Sequence, residues 1–269
     1  MSDFWKYLLL GIVQGISEVL PISSSAHLIL VQNIMGIKSD DLSLEVFLHM
    51  ASLVAIVFFL RKRLCKLVWG SIKYILYKKE EDYKEFKMMI CLIVSTLPVV
   101  IFTLLFKSQI DVISGNIFSI GLLLLINGAL LLYFMNFNDE NRKRALSYKD
   151  ALVVGVFECM GVFPGISRSG SCLCGGKLRK LSREEMADYA FLLFIPAAVG
   201  AMVLEFDNLS QVIFGNDLWM YLVVFVVTSV VTYLSLNILL SFIKRGKIKY
   251  FGYYCMVMGL IIVLFEIIK

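Results

Sequence analysis

The chain has 269 residues and a net charge of +5, and 59% of its residues are hydrophobic, with a mean hydropathy of +0.82. A soluble domain cannot hide that much apolar surface, so the composition puts the chain in a bilayer. Membrane lipids, and no nucleic acid, are its expected surroundings.

The N-terminus, MSDFWKYLLLG, has neither the basic leader nor the small-residue cleavage site of a signal peptide. The first apolar stretch, 4–37, is broken by LPISSS, and each half is too short to cross about 30 Å of hydrocarbon. A helix that breaks inside a bilayer needs protein or trapped water for its freed backbone groups, so 4–37 reads as a re-entrant helix hairpin. Gln14 and Glu18 are four apart and share a helix face ahead of the break. Ser23, Ser24 and Ser25 sit at the break, and His27 follows. An intramembrane acid is a functional candidate by default. The plainer readings are a structural Glu18–Arg168 ion pair and a His27 satisfied by backbone. Next comes a crossing at 44–60, which opens with Glu45 and His49. These read equally as a second shell around the site or as a polar start to the helix.

The segment 61–87 reads as a basic loop whose acids make it an ordinary solvated connection. Crossings follow at 88–106 and 116–136, joined by 107–115, which carries a single lysine, Lys107. A second basic loop covers 141–149. The stretch 151–178 is broken by FPGISRSG and reads as a second re-entrant hairpin, with Gly165, Ser167, Arg168 and Ser169 at its tip and Glu158 ahead of it. Crossings at 184–205, 218–243 and 251–268 complete six. The segments 177–183 and 244–249 are basic, and 206–217 has no lysine or arginine. If each hairpin returns to its own side, all four basic segments fall on one face, which the positive-inside rule makes cytoplasmic. The six cysteines show no CxxC or Cys/His metal spacing and read as small hydrophobes.

The two hairpins resemble one another. A shift of 144 residues places Gly11 on Gly155, Gln14 on Glu158, and Ser23, Ser24 and Ser25 on Ser167, Arg168 and Ser169. With opposite membrane orientation this is an inverted repeat, about 4–136 and 148–269, within a single polytopic domain spanning 1–269. Such repeats place broken helices tip to tip near the midplane. A helix N-terminus offers free N–H groups and a positive dipole end to an anion. Hydroxyls, N–H groups and one guanidinium make a phosphate site, and Arg168 suits bidentate phosphate recognition.

QGISEVLPISSSAH and PGISRSG resemble the two signature motifs of the undecaprenyl-diphosphate phosphatase family, the bacitracin-resistance type, and the resemblance runs over nearly the whole chain. It implies an all-α integral membrane enzyme that removes the terminal phosphate of a C55 isoprenoid diphosphate, yielding the carrier used for peptidoglycan. It also implies a divalent metal (Mg or Ca), a bacterial plasma-membrane location and a site open to the extracytoplasmic face; a homodimer is admissible. Carried over by position, Glu18 is the motif acid, Ser24 the nucleophile or a phosphate ligand, His27 the motif histidine and Arg168 the phosphate-binding arginine. Ser23, Ser25, Gly165, Ser167 and Ser169 complete the phosphate cradle. Gln14, Glu18 and Glu158 are the candidate metal ligands, and Glu158 reads equally as a carboxylate at the cytoplasmic mouth of its hairpin. The chain departs from the family at Gln14, where Glu is usual, in SSSAH for SSTGH, and at Cys172 and Ala190, where hydroxyls are usual. Two rival readings remain: a transporter of the lipid carrier, since inverted repeats are transporter architecture, and a haloperoxidase-type phosphatase. The latter needs a downstream site histidine, whereas the two histidines here, His27 and His49, are both early.

Overall fold

The computed structural model describes residues 2–37, 42–135, 146–204 and 218–269. Among these residues the secondary structure is helical throughout: α1 Ser2–Ser17, α2 Ser24–Ile34, α3 Leu42–Tyr77, α4 Glu80–Ser114, α5 Ile117–Met135, α6 Tyr148–Met160, α7 Arg168–Leu178, α8 Arg183–Leu204, α9 Leu218–Lys244 and α10 Lys249–Ile268. Six of them, α3, α4, α5, α8, α9 and α10, are long and apolar enough to cross a membrane. The other four form two broken pairs, α1–α2 and α6–α7. At about 1.5 Å per residue no member of either pair reaches 30 Å.

The 61–87 segment is not a loop. Helix α3 continues to Tyr77, only Lys78 and Lys79 turn, and α4 starts at Glu80 and, after a kink at Phe106, takes in 107–114 as well. Hydropathy registers the lipid-buried part of a helix, whereas a helix of 36 residues is about 54 Å long and projects beyond the hydrocarbon. The projecting turns are held by charge. Arg63 of α3 pairs with Glu85 of α4 and with Asp188 of α8, at 2.5 Å and 2.9 Å. Of the other basic segments, 141–145 lies outside the described residues, as does the connection 206–217.

Contacts gather the basic segments at one end of the bundle. Lys87 lies over the Tyr148 ring, Arg179 donates to Asp150, and Arg183 donates to the Lys244 carbonyl. The Arg179–Asp150 bond joins the end of α7 to the start of α6, so this pair begins and finishes at the basic end. The α1–α2 pair begins and finishes at the other end. Phe4 stacks on Trp219 at the start of α9, and Leu28 of α2 shares a core with Leu10, Leu44 and Val224.

Close backbone approach fixes the bundle's registers. A Cβ on Gly128 would lie 2.8 Å from the Gly252 carbonyl oxygen, and one on Gly259 would lie 2.8 Å from that of Gly121. Helices α5 and α10 therefore touch along their length through small residues, the usual device where lipid provides no hydrophobic drive for helix pairing. Gly11 seats α1 against Thr228 of α9, and Gly155 seats α6 against Ser95 of α4. These are the positions that the 144-residue shift superimposes, and each half's broken helix packs on a long helix of the other half.

Candidate active site

The two breaks meet inside the bundle. Each is built by local chemistry: a proline that stops helical hydrogen bonding, followed by a serine that caps a new helix. Ser23 caps α2, its Oγ accepting from Ala26 N, and Ser167 caps α7, its Oγ accepting from Gly170 N. Ser23 adopts φ 69°, and Gly165, in the opposing break, φ 116°. Only glycine tolerates the second conformation. A Cβ on Gly165 would moreover lie 2.5 Å from Leu123 Cβ.

Cross-bonds hold the tips together. Gly165 N donates to Ser23 Oγ at 3.0 Å, and Ser169 Oγ donates to the Val19 carbonyl at 3.3 Å. Asn127 of α5 bridges both breaks: its Nδ2 donates to the Pro21 carbonyl at 3.1 Å, and its Oδ1 accepts from Ser167 N at 3.1 Å. It is 1% exposed. The sequence reading missed Asn127, although a lone amide in LLLLINGALLLY carries the same signal as an intramembrane charge.

At the junction Arg168 Nη2 donates to Glu18 Oε1 at 3.1 Å, and the guanidinium lies 4.5 Å from the Phe194 ring centroid. Glu18 Oε2 accepts from Gln14 Nε2 at 2.8 Å and lies 3.1 Å from His49 Nδ1. His49 Nε2 is 3.9 Å from Glu45 Oε1. His49 thus touches the central acid directly, and Glu45 stands behind it. Ser24 neighbours the Glu18 carboxylate, and Ser24 and Ser25 occupy the partly buried first turn of α2. Ser167 and Ser169 share a hydroxyl–hydroxyl contact of 3.0 Å.

His27 is placed differently. Its Nδ1 is 2.8 Å from the Ser23 carbonyl and its Nε2 is 2.7 Å from the Tyr254 hydroxyl, so both ring nitrogens are bonded away from Ser24 and Glu18. Glu158 is 1% exposed, and its nearest charged influence is Arg168. The guanidinium therefore lies in the field of two carboxylates, one from each half. Its space is small: a cavity of about 20 Å³ is lined by Glu18, Arg168, Ser169 and Phe194, among others. That is room for one water. A larger cavity, about 440 Å³, lies elsewhere, at the basic end between α3, α4 and α8.

A metal has a partial donor set here. Among the described residues no three His, Cys, Asp or Glu side chains converge on a point. Yet Gln14 Oε1 and Glu158 Oε2 are buried oxygens without a hydrogen-bond donor, the first beside Glu18 and the second in the field of Arg168. Hard oxygens suit Mg²⁺ or Ca²⁺, and Mg²⁺ in particular takes one or two carboxylates together with substrate phosphates. The residues fit a cation that the substrate helps to hold.

Two serine-capped helix N-termini facing one arginine explain why both motifs are needed at this separation. The family described as "Bacitracin resistance protein BacA" matches residues 7–261. The chain belongs to the BacA family. Its BacA-family relatives include the "Undecaprenyl-diphosphatase" of Oceanobacillus iheyensis, 34% identical with 98% of each chain covered. The "Undecaprenyl-diphosphatase 1" of Halalkalibacterium halodurans is 36% identical with 97% of each covered. The "Undecaprenyl-diphosphatase" of Methanosphaera stadtmanae is 35% identical with 100% of each covered. The BacA match thus takes in both tips, Asn127 and Tyr254.

Proposed function

We propose that this multi-pass membrane protein hydrolyses undecaprenyl diphosphate to undecaprenyl phosphate and inorganic phosphate, and that by recycling the carrier it confers bacitracin resistance. The observation that carries the reading is the Arg168 guanidinium between two apposed, serine-capped helix N-termini, in a chain alike over its whole length to relatives named for this activity.

The terminal phosphate sits against Arg168, the first-turn N–H groups of α2 and α7, and the hydroxyls of Ser23, Ser24, Ser25, Ser167 and Ser169. These groups act on charge that spreads over the equatorial oxygens as the phosphoryl group transfers. Attack comes from the Ser24 side of the site, by its hydroxyl or by a water beside it. Glu18, with His49 against its other oxygen, takes the proton, since His27 has both ring nitrogens bonded away from Ser24. The anhydride P–O bond breaks, and the monophosphate stays with the lipid; on the serine route a water then hydrolyses the phosphoserine to release inorganic phosphate and restore the Ser24 hydroxyl. A divalent cation would be held by Glu18, Gln14 Oε1 and Glu158 with the diphosphate oxygens, and would supply charge neutralisation.

The α1–α2 and α6–α7 pairs are read as re-entrant hairpins of an inverted repeat. Support comes from each pair beginning and finishing at one end of the bundle, the two at opposite ends. The gathered basic segments support a cytoplasmic assignment for that end. The α1–α2 hairpin, and the site it carries, then opens to the extracytoplasmic face of the plasma membrane.

The test is phosphate release by purified protein in detergent, with farnesyl and undecaprenyl diphosphates, with and without chelator. Turnover that the chelator abolishes supports the reading. No release from either substrate with metal present refutes it, because detergent leaves no gradient for a transporter to use.

A further inference from the structure

The cavity of about 440 Å³ at the basic end shares no residue with the hydrolytic site. On all three of its helical walls, charge gives way to apolar sequence at the level of the cavity. Helix α3 contributes Arg63 and Lys66, just past an apolar run that ends at Leu60. Helix α4 contributes Lys84 and Lys87, and its apolar run starts at the next residue, Met88. Helix α8 contributes Asp188, and its apolar run starts at Tyr189. Cys91 and Tyr189 are buried and form a floor, whereas Lys66 and Lys84 are exposed at the mouth. The cavity therefore straddles the boundary between hydrocarbon and headgroups.

Its walls are braced. Arg63 ties α3 to Glu85 of α4 and to Asp188 of α8. At the floor the Tyr189 hydroxyl donates to the Cys91 carbonyl at 2.7 Å and lies 2.6 Å from Ser95 Oγ, which ties α8 to α4. The acids of the cavity are already engaged. Glu85 has Arg63 and, at 3.6 Å, Lys66; Asp188 has Arg63; Glu185 accepts from Ser182 N and Oγ. Lys84 and Lys87 remain. Among the described residues neither forms an ion pair with a carboxylate. Three apart on α4, they share a face, where like charges repel. Their methylene stems can follow the wall while the ammonium groups stay at headgroup level. An anion between them relieves the repulsion.

We propose that this cavity binds the phosphodiester headgroup of an anionic phospholipid from the leaflet at the basic end. Lys84 and Lys87 hold the phosphate, and the floor of Met88, Cys91 and Tyr189 takes the glycerol and the start of the acyl chains. Phosphate is the group recognised. The apolar floor at the hydrocarbon boundary commits the site to lipid, because a soluble phosphate gains nothing from it. The volume lies in the range of small-molecule sites, about 300–1,000 Å³, and basic pockets between membrane helices hold such headgroups. The inference is independent of the hydrolytic reading. The plainer account is that both lysines are only solvated.

The test is native mass spectrometry of the purified full chain in detergent. It is titrated with phosphatidylglycerol or with phosphatidylcholine, which has the same phosphodiester but no net charge. Lys84→Gln with Lys87→Gln removes both cations. Lys62→Gln with Lys149→Gln removes two exposed lysines at the same end that do not line the cavity. The parent should bind phosphatidylglycerol at least about tenfold more tightly than phosphatidylcholine. The cavity pair should lose most of that preference, about fivefold for each lysine, and the control pair should stay within about twofold. Met88→Trp, which fills the floor without changing charge, should weaken binding as well. Equal affinity of the parent for both lipids, a loss in the cavity pair no larger than in the control pair, or full binding by Met88→Trp overturns the proposal. Inorganic phosphate that displaces the lipid beyond a chloride control of equal ionic strength assigns the cavity to soluble phosphate and overturns it too.

Discussion

Replacing Asn127 with leucine removes the bridge between the two breaks at nearly constant volume. The loss is countable. The Pro21 carbonyl loses the Asn127 Nδ2 donor, and Ser167 N loses the Oδ1 acceptor, in surroundings where Asn127 is 1% exposed. Orphaning a buried polar group costs about 1–3 kcal/mol, which gives about 2–6 kcal/mol for the two. Hydrogen bonds between membrane helices average only about 0.6 kcal/mol, because the unfolded chain in lipid also finds partners. That sets a floor near 1 kcal/mol. The two orphans are backbone groups in non-helical breaks; Ser167 N keeps no acceptor and the Pro21 carbonyl keeps only the weak Cys255 thiol contact at 3.8 Å, so the expected loss is about 3 kcal/mol. Reversible unfolding in mixed micelles by SDS titration, followed by circular dichroism, measures it. Asn127→Asp keeps an acceptor for Ser167 N and loses the donor to Pro21, so it should fall between parent and leucine variant. Both should lower kcat, since they loosen the apposition of the tips. An Asn127→Leu protein within about 0.5 kcal/mol of the parent would refute the bridge as a structural determinant.

Arg168→Lys should fold normally yet lose at least about a hundredfold in kcat, because a point charge replaces a planar fork that engages Glu18 and lies on Phe194; phosphate release and size-exclusion profiles check both halves. Gly165→Ala should destabilise by roughly 1–3 kcal/mol from φ strain alone and more from the Leu123 clash, read in the same SDS titration. Glu158→Gln should impair metal-dependent turnover, and Gln14→Glu added to it should restore a good part; full activity of the single variant would remove Glu158 from the site. In a Cys65→Ser background, since Cys65 is exposed, Gly115→Cys should label from outside intact cells and Lys79→Cys only after permeabilisation. The reverse pattern would overturn the orientation.

Much of this arrangement is legible in the sequence because membranes tolerate few structures. Apolar length marks the six crossings, and Pro–Ser clusters mark the breaks, since a stopped helix in lipid must be buried. Glu18, Arg168 and the serines stand out because charge and hydroxyls are costly there. Helix ends were less visible: Arg63, Lys66 and Glu85 look like loop residues until a partner helix supplies the opposite charge. Contacts between distant segments were invisible. Nothing near His27 points to Tyr254, 227 residues away, and nothing near Pro21 points to Asn127. Those pairings are set by how α5 and α10 slide against each other, which is decided by glycine contacts rather than by any local pattern. His49 was legible only as four residues from Glu45; its contact with Glu18 depends on how α3 crosses α1.

The 20 Å³ cavity between Glu18 and Arg168 changes what binding means for this protein. A diphosphate finds no open cup there, only a cation that already has a counterion. It enters by exchange: phosphate oxygens take the place of Glu18 on the guanidinium, and the released carboxylate keeps Gln14 and His49. Glu18 is thus a resident competitor as well as a participant, sparing the empty protein an uncompensated cation beside lipid. Affinity for the headgroup is then the difference between two ion pairs, Arg168 with phosphate and Arg168 with Glu18.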